Sequence, residues 1–141
     1  MDLKIKRLHP DAIIPKFAYH NDAGLDLYSV EDCILKPGVV YCVKTGIAME
    51  FSDDYVALIW DKSGLASKQT IKTVGGVFDA GYRGEYTVGL LNLGSKNYKV
   101  EKGDKVAQLL IQKIEHPSIR VVEELSESAR GTNCHGSTGK K

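Results

Sequence analysis

The sequence predicts an all-β fold, a β-sandwich or jelly roll. Short β-rich runs separated by turn residues fill the 141 residues from end to end. No segment keeps an apolar 3.6-residue period over a convincing helical length. So many short strands suit an architecture that pairs or hides most of its strand edges. The length fits one domain that can bury a core without disulfides or metal ions.

Ten runs rich in β-branched and aromatic residues are predicted as strands. In chain order they cover residues 4–8, 24–28, 33–35, 39–45, 47–51, 55–60, 70–74, 85–93, 105–114 and 119–123. Turns are expected between many of them, at residues 36–38, 52–54, 94–96 and 102–104, where Gly, Pro, Asp and Ser cluster. One helical turn or two is expected at residues 65–68.

Two segments depart from a plain sandwich. Residues 88–93 are apolar without alternation, which either burial in an oligomer interface or a central position in a sheet would explain. From residue 126 the composition changes to Ser, Gly, Thr, Asn and basic residues, with almost nothing apolar. We therefore predict a β domain over residues 1–125 and a flexible C-terminal tail over residues 126–141.

Charge and cysteine content narrow the class of protein. The formal net charge is +1 with both signs interspersed, so neither nucleic acid nor a membrane surface is an expected partner. Cys33, Cys42 and Cys134 lie in no C-x-x-C pair and no zinc-ligand spacing, so free cytosolic thiols are the simplest interpretation. Without a signal-peptide or membrane-span pattern, we expect a soluble cytoplasmic protein.

The stretch G-G-V-F-D-A-G-Y-R-G-E, from Gly75 to Glu85, is the strongest candidate for a site. Asp79 lies there between glycine-made bends, and we expect it at the crest of a tight hairpin. A carboxylate at that position can reach a ligand, and the glycines let the backbone approach it.

Three more clusters have a structural and a functional interpretation. Ser63 is predicted to cap the helical turn, where free amides would attract anions. Gln108 is either a satisfied edge glutamine or a ligand donor within an apolar strand. Asp26 alternates with leucines, so it should lie on or near a core face and need a partner, in a structural or metal-linked role.

Five short clusters follow one another in a fixed order along the chain. They are A-G-L-D-L from Ala23, K-S-G-L-A from Lys62, the Gly75 stretch, G-D-K-V-A-Q-L from Gly103 and R-G-T-N-C-H-G-S-T-G from Arg130. In this order and spacing they resemble the five motifs of the trimeric dUTP pyrophosphatases, the dUTPases. The resemblance covers residues 23 to 139, and five ordered motifs are far more specific than any single one.

The resemblance implies a distorted jelly roll (a β-clip) with one very short helix. It further implies a homotrimer whose three active sites each use residues of three chains, with the tail closing over a site as a lid. The enzyme would hydrolyse dUTP to dUMP and pyrophosphate with Mg²⁺ as cofactor. This activity would keep uracil out of DNA and supply dUMP for thymidylate synthesis.

The resemblance also implies residue roles. Asp79 would activate the water that attacks the α-phosphorus, and would hold the 3′-hydroxyl group. Tyr82 would lie under the sugar and exclude a ribose, while Asp26 would help fix magnesium through water. The remaining substrate-binding residues would contact the uracil edge (Thr73, Gly76, Val77), the phosphate chain (Lys62, Ser63, Gly64, Gln108), and the base or the γ-phosphate from the tail (Arg130, His135, Gly136, Ser137, Thr138).

Three positions depart from the family pattern. Lys62 replaces the usual arginine, which keeps the charge but loses the planar fork. Thr73 stands where an asparagine is frequent, so main-chain groups should carry more of the base recognition. His135 stands where a phenylalanine stacks on the base, after Asn133 and Cys134 in place of two glycines. Because imidazole offers less apolar area than a phenyl ring, we expect weaker lid closure.

Two rival functions are weighed against dUTP hydrolysis. The dCTP deaminase branch of the fold needs a glutamate ten residues beyond the hairpin aspartate, and this chain has Gly89 there. A regulatory protein that binds dUTP with little turnover is supported only by the altered tail. The intact Asp79 and Tyr82 favour an enzyme.

Overall fold

The computed structural model describes residues 1–134, and it confirms an all-β fold with one very short helix. Eleven strands and one helix are found in these residues. Their bounds in chain order are β1 Lys4–Arg7, β2 Leu25–Tyr28, β3 Cys33–Leu35, β4 Val40–Lys44, β5 Ile47–Glu50, β6 Tyr55–Trp60, α1 Ser63–Gln69, β7 Ile71–Val74, β8 Val77–Asp79, β9 Thr87–Asn92, β10 Tyr98–Val100 and β11 Lys105–Lys113.

Nine of the ten predicted strands are present, and the tenth prediction is wrong. Residues 119–123 form no strand, because this segment pairs with nothing within the described chain; Ile119 and Val121 are almost fully exposed. Two strands were not predicted. The glycines around β8 indicated a turn, and β10 is only three residues long.

The strands pair antiparallel in four small sheets. The largest has the order β2-β11-β6-β8, and the second has the order β4-β9-β7. Two-stranded pairs, β1 with β5 and β3 with β10, complete the set. Apolar side chains from these sheets form one core, whose fully buried members include Leu27, Leu35, Val43, Ile47, Met49, Ile71, Tyr86, Val88, Leu90, Val100, Val106 and Leu109.

The apolar run at residues 88–93 belongs to β9, which is the central strand of its sheet. Val88 and Leu90 are buried, whereas Gly89 and Leu91 on the opposite face are half-buried. The central position between β4 and β7, one of the two sequence interpretations, is therefore confirmed, while the face that carries Gly89 and Leu91 is covered only in part within this chain.

The chain crosses from one sheet to the other between β7 and β8. Gly75 and Gly76 form this link with φ angles of 75° and 109°. The Gly76 carbonyl accepts a hydrogen bond of 2.7 Å from the Ile59 amide of β6. A Cβ atom on Gly76 would lie 2.8 Å from the Ile59 oxygen, so only glycine fits here.

Within residues 1–134, α1 is much too short to cross a membrane. Cys33 is buried and Cys42 and Cys134 are exposed, and all three are free thiols, as the sequence indicated.

Candidate active site

Asp26 has two positively charged hydrogen-bond partners, as its predicted place on a core face required. The residue is 2% exposed, and its two carboxylate oxygens accept hydrogen bonds from Lys62 (2.9 Å) and Lys105 (2.7 Å). Lys105 begins β11, the neighbour of β2, while Lys62 directly precedes α1. The sequence analysis did not assign Lys105 a role, although it stands within the fourth motif.

The two lysines determine the charge state of Asp26. Burial alone would raise the pKa of Asp26, but the hydrogen bonds and positive charges of Lys105 and Lys62 outweigh it and lower the pKa. The same contact raises the pKa of Lys105. Asp26 is therefore an ionised, buried carboxylate with a lysine on each oxygen.

Gln108 faces this cluster from a central strand. It lies opposite Asp26 on β2 and Trp60 on β6, so of the two sequence interpretations the edge glutamine does not hold. A polar hollow open to solvent is lined by Tyr19, Asp22, Gly24, Asp26, Lys62, Lys105 and Gln108. Three of the predicted site residues, Asp26, Lys62 and Gln108, are thus brought together by pairing of β2, β11 and β6.

The start of α1 differs from the prediction. Lys62 is the N-cap, and it makes no side-chain cap hydrogen bond; Ser63 is the first helical residue. The difference arises because Lys62 has extended backbone angles and its carbonyl already accepts the Ala66 amide. Ser63 and Gly64 are exposed beside Lys62, so the Ser63 hydroxyl remains available to a ligand.

Thr73, Gly76 and Val77 lie together around a second hollow. Trp60, which is 53% exposed, lines the same hollow from β6. Asp61, immediately after Trp60, accepts hydrogen bonds from the amide and hydroxyl of Thr73 at 2.7 and 2.6 Å. Asp61 carried no signal in the sequence analysis beyond its position next to the second motif.

Asp79 ends strand β8, so its predicted place at a hairpin crest is wrong. The glycine stretch does not form one hairpin because β7 pairs with β9 while β8 pairs with β6. Asp79 is exposed, and its carbonyl accepts the Tyr82 amide at 3.0 Å. This bond closes a tight turn directly after the carboxylate, which leaves the carboxylate at the surface.

The Tyr82 ring is held in place at the end of the turn that follows Asp79. Its hydroxyl donates to the Glu85 carbonyl at 3.1 Å, and a Cβ atom on Gly84 would collide with the same hydroxyl. Behind Tyr82, Phe78 stacks on the buried Tyr86 with ring centroids 4.4 Å apart. Burial raises the pKa of Tyr86 to about 12. The turn that follows Asp79 therefore rests on a rigid aromatic cluster.

Asp26 and Asp79 lie far apart within one chain. Both belong to the four-stranded sheet, Asp26 on β2 at one edge and Asp79 on β8 at the other. Asp79 is opposite Val56, whereas Asp26 is in register with Gln108 and Trp60, four residues further along β6. Standard strand spacings place the two acids roughly 20 Å apart.

The tail is described only in part. Arg130 is exposed, and its Nε donates to the Asn133 carbonyl at 3.0 Å within a local turn. The predicted contacts of His135, Gly136, Ser137 and Thr138 lie outside the described residues.

The residues around Asp26 suit a magnesium ion that arrives with a substrate. No group of three or more His, Cys, Asp or Glu side chains within residues 1–134 could hold a metal by itself. Mg²⁺ keeps several waters and commonly takes one or two carboxylates together with substrate phosphates. Because Lys62 and Lys105 occupy both oxygens of Asp26, this carboxylate fits a magnesium ion only through water and together with a substrate phosphate that offsets the lysine charges.

Comparison with known proteins decides the family. The dUTPase family model matches residues 10–139. The chain belongs to the dUTPase family. A relative from Clostridium tetani, named deoxyuridine 5'-triphosphate nucleotidohydrolase, is 49% identical over 140 residues, covering 98% of this chain and 97% of the relative.

Solved dUTPase structures share the fold. The dUTPase of Staphylococcus bacteriophage 80alpha, solved with dUPNHPP, has a TM-score of 0.92 and 30% identity, with 98% of both chains covered. A mutant dUTPase from phage phi11 of S. aureus, described with a structural Mg(II) ion, has a TM-score of 0.84 and 27% identity over 90% of this chain and all of the other. The family's distorted jelly roll is therefore confirmed for this chain.

Proposed function

We propose that this member of the dUTPase family hydrolyses dUTP to dUMP and pyrophosphate, and that Asp79 activates the attacking water. The observation that carries the proposal is the placement of Asp79. The carboxylate is exposed at the end of β8, the strand whose first residue, Val77, lines the second hollow, and the turn that follows is supported by packed aromatic rings. A general base needs this combination of accessibility and rigid support.

The proposed reaction is an in-line displacement. Asp79 accepts a proton from water as the water oxygen bonds to the α-phosphorus, and the bond from that phosphorus to the bridging oxygen of pyrophosphate breaks. Tyr82 packs under the deoxyribose. Lys62, Ser63, Gly64 and Gln108 hold the phosphate chain, and their hydrogen bonds and positive charge offset the negative charge that repels the nucleophile.

Magnesium and the tail complete the proposed site. A magnesium ion held by the triphosphate, with Asp26 as a partner through water, would neutralise charge on the phosphate oxygens. Arg130, Ser137 and Thr138 contact the γ-phosphate, while His135 and Gly136 close over the base as residues 126–141 fold down as a lid. Thr73, Gly76 and Val77 contact the uracil edge.

The separation of Asp26 and Asp79 supports a site shared between copies. Both groups must act on one triphosphate, directly or through one water, and roughly 20 Å is too far for that. The active form is thus proposed to be a homotrimer, in which Asp79 of one copy works with the Asp26, Lys62 and Gln108 cluster of another.

The deaminase alternative gains no support from the structure. Gly89, where that chemistry needs a glutamate, lies in the centre of β9. A Cβ atom there would stand 2.6 Å from the Val74 carbonyl oxygen, so even alanine would be strained. A glutamate at this position is incompatible with the pairing of β7 and β9.

Pyrophosphate release tests the activity. With Mg²⁺ present, the purified protein should cleave dUTP and spare UTP, and Asp79→Asn should lower kcat about 10²- to 10⁴-fold. Asp53→Asn, which changes an exposed acid in the turn before β6, is the matched control and should keep full activity. Intact dUTP, or equal cleavage of UTP, would refute the proposal.

Mixing two inactive variants tests the shared site. Asp79→Asn and Lys62→Met copies, unfolded and refolded together, should regain activity, because roughly a quarter of the interfaces would pair an intact Asp79 with an intact Lys62. Each variant refolded alone is the control. Absence of recovery in mixed trimers would mean that both residues serve a site within one chain.

A further inference from the structure

The carboxylate of Asp61 binds two neighbouring residues of β7 at once. Its Oδ1 accepts the amide and the hydroxyl of Thr73, at 2.7 and 2.6 Å. Its Oδ2 accepts the ammonium of Lys72 at 2.7 Å. The Asp61 side chain is 24% exposed, so these bonds are partly shielded from water. Asp61, which lies between β6 and α1, thus holds β7 in place. This strand leads to the second hollow, which Thr73 and Gly76 line.

This arrangement fixes the direction of the Thr73 hydroxyl proton. Burial alone would raise the pKa of Asp61, but the hydrogen bonds from Lys72 and Thr73 lower it below the usual value. An ionised carboxylate only accepts hydrogen bonds, so the Thr73 hydroxyl must donate its single proton to Asp61. For any other partner Thr73 Oγ1 is then an acceptor only.

Thr73 lines the hollow formed with Trp60, Gly75 and Gly76. Uracil carries an N3–H donor between two carbonyl oxygens, whereas cytosine presents a lone pair at N3. An acceptor that cannot rotate into a donor pairs with the first base and opposes the second. A threonine with a free hydroxyl would lack this preference, because it could donate to cytosine as readily as it accepts from uracil.

On the basis of the proposed dUTP hydrolysis, we infer that Asp61 is a positioning residue that makes the Thr73 hydroxyl a fixed acceptor for uracil N3–H, so that the pair discriminates dUTP from dCTP. Thr73 is the specificity-determining residue of the pair. Asp61 acts through it and does not touch the substrate. The threonine thereby retains side-chain recognition of the base at a position where the sequence alone indicated main-chain recognition.

The ratio of kcat/KM for dUTP to that for dCTP measures the effect. Thr73→Val keeps the shape of the side chain and the hydrogen bond from the backbone amide to Asp61, but it removes the hydroxyl. It should lower the ratio about ten-fold. Thr73→Ser restores the hydroxyl and should restore the ratio. Asp61→Ala should lower the ratio as Thr73→Val does, but should add little in the Thr73→Val background.

Lys72→Met tests the charge of the cluster at a residue that also lines the hollow. It removes the partner of Asp61 Oδ2 and leaves both Thr73 bonds in place. The ratio in this variant should stay within about two-fold of the unmodified protein. A merely structural role of the cluster would instead lower turnover of both substrates equally in all variants, with the ratio unchanged.

Binding of product nucleotides separates this inference from the proposed function. Trp60 is the single tryptophan of the chain and lines the hollow, so its fluorescence reports binding of dUMP or dCMP without turnover. A preference for dUMP that Thr73→Val abolishes would support the inference even if dUTP were not cleaved. A folded Thr73→Val protein with unchanged preference in both assays would overturn it while leaving dUTP hydrolysis intact.

Discussion

The carboxylate of Asp26 and the ammonium of Lys62 meet at 2.9 Å although 36 positions separate them in the chain. Asp26 is almost fully buried, whereas the Lys62 side chain is 28% exposed. The lysine can therefore turn toward a phosphate, while the acid stays in place and keeps Lys105 as its second partner. A lysine that can exchange the Asp26 carboxylate for a phosphate suits a site that must accept an anionic substrate.

Removal of the Asp26 charge should destabilise the fold. Asp26→Asn leaves Lys62 and Lys105 facing each other without a counter-ion, and we expect the free energy of unfolding to fall by about 1–3 kcal/mol. Urea denaturation measures this change. Asp11→Asn breaks the exposed pair with Lys102 and, as control, should destabilise the protein clearly less, because solvent screens that pair. Equal losses in the two variants would contradict the importance of burial at Asp26.

Alanine substitutions at Gly75 and Gly76 should lower the free energy of unfolding by unequal amounts. Both have positive φ, but a Cβ on Gly75 meets no atom within 4 Å, whereas one on Gly76 approaches the Ile59 carbonyl oxygen. Gly75→Ala should cost about 1–2 kcal/mol from backbone strain alone. Gly76→Ala should cost clearly more and raise KM for dUTP, as measured by denaturation and steady-state kinetics. Equal costs would show that the Ile59 contact relaxes freely.

The hydroxyl of Tyr86 should be dispensable for folding. It is buried and has no hydrogen-bond partner among residues 1–134, so Tyr86→Phe should leave the free energy of unfolding unchanged or raise it at pH 7. Tyr86→Ala, which empties the space against Phe78, should lower it by about 3–5 kcal/mol. A large loss in Tyr86→Phe would reveal a partner for the hydroxyl in the assembled protein.

The same tyrosine predicts an alkaline loss of stability. Its pKa is raised by burial to about 12, against about 10 in the unfolded chain. Between these values the unfolded state loses the proton and the folded state keeps it, so stability falls as pH rises from about 10 to about 12. Denaturation midpoints across this range should fall less steeply in Tyr86→Phe. Parallel pH profiles for the two proteins would count against this assignment.

Cys33 should resist thiol reagents in the folded protein. Burial, together with the negative charges of Glu31 and Asp32, raises its pKa to about 11, so little thiolate is present at pH 8. Labelling with a chromogenic disulfide should leave Cys33 unmodified until a denaturant is added. Cys33→Ser identifies the protected thiol, since this variant should lose the thiol that reacts only after a denaturant is added. Rapid modification of Cys33 in the native protein would disprove its protection.

Much of the fold and several site residues could be predicted from short patterns in the sequence. Nine strands follow from β-rich runs between turns, because strand propensity and turn chemistry act over a few residues. Asp26 was expected to need a partner because a strand that alternates with leucines turns one face to the core. The order of five motifs indicated the dUTPase family before any contact was known.

The remaining features of the fold and the site depend on pairing between segments that are distant in the sequence. The sequence did not reveal that Lys105 shares Asp26, that Asp61 holds Thr73, or that β8 pairs with β6 instead of forming a hairpin with β7. The distance between Asp26 and Asp79 depends on the order β2-β11-β6-β8, which no run of residues encodes by itself. Strand order and register depend on how the side chains of all strands pack into one core. That packing can be seen only in the folded chain.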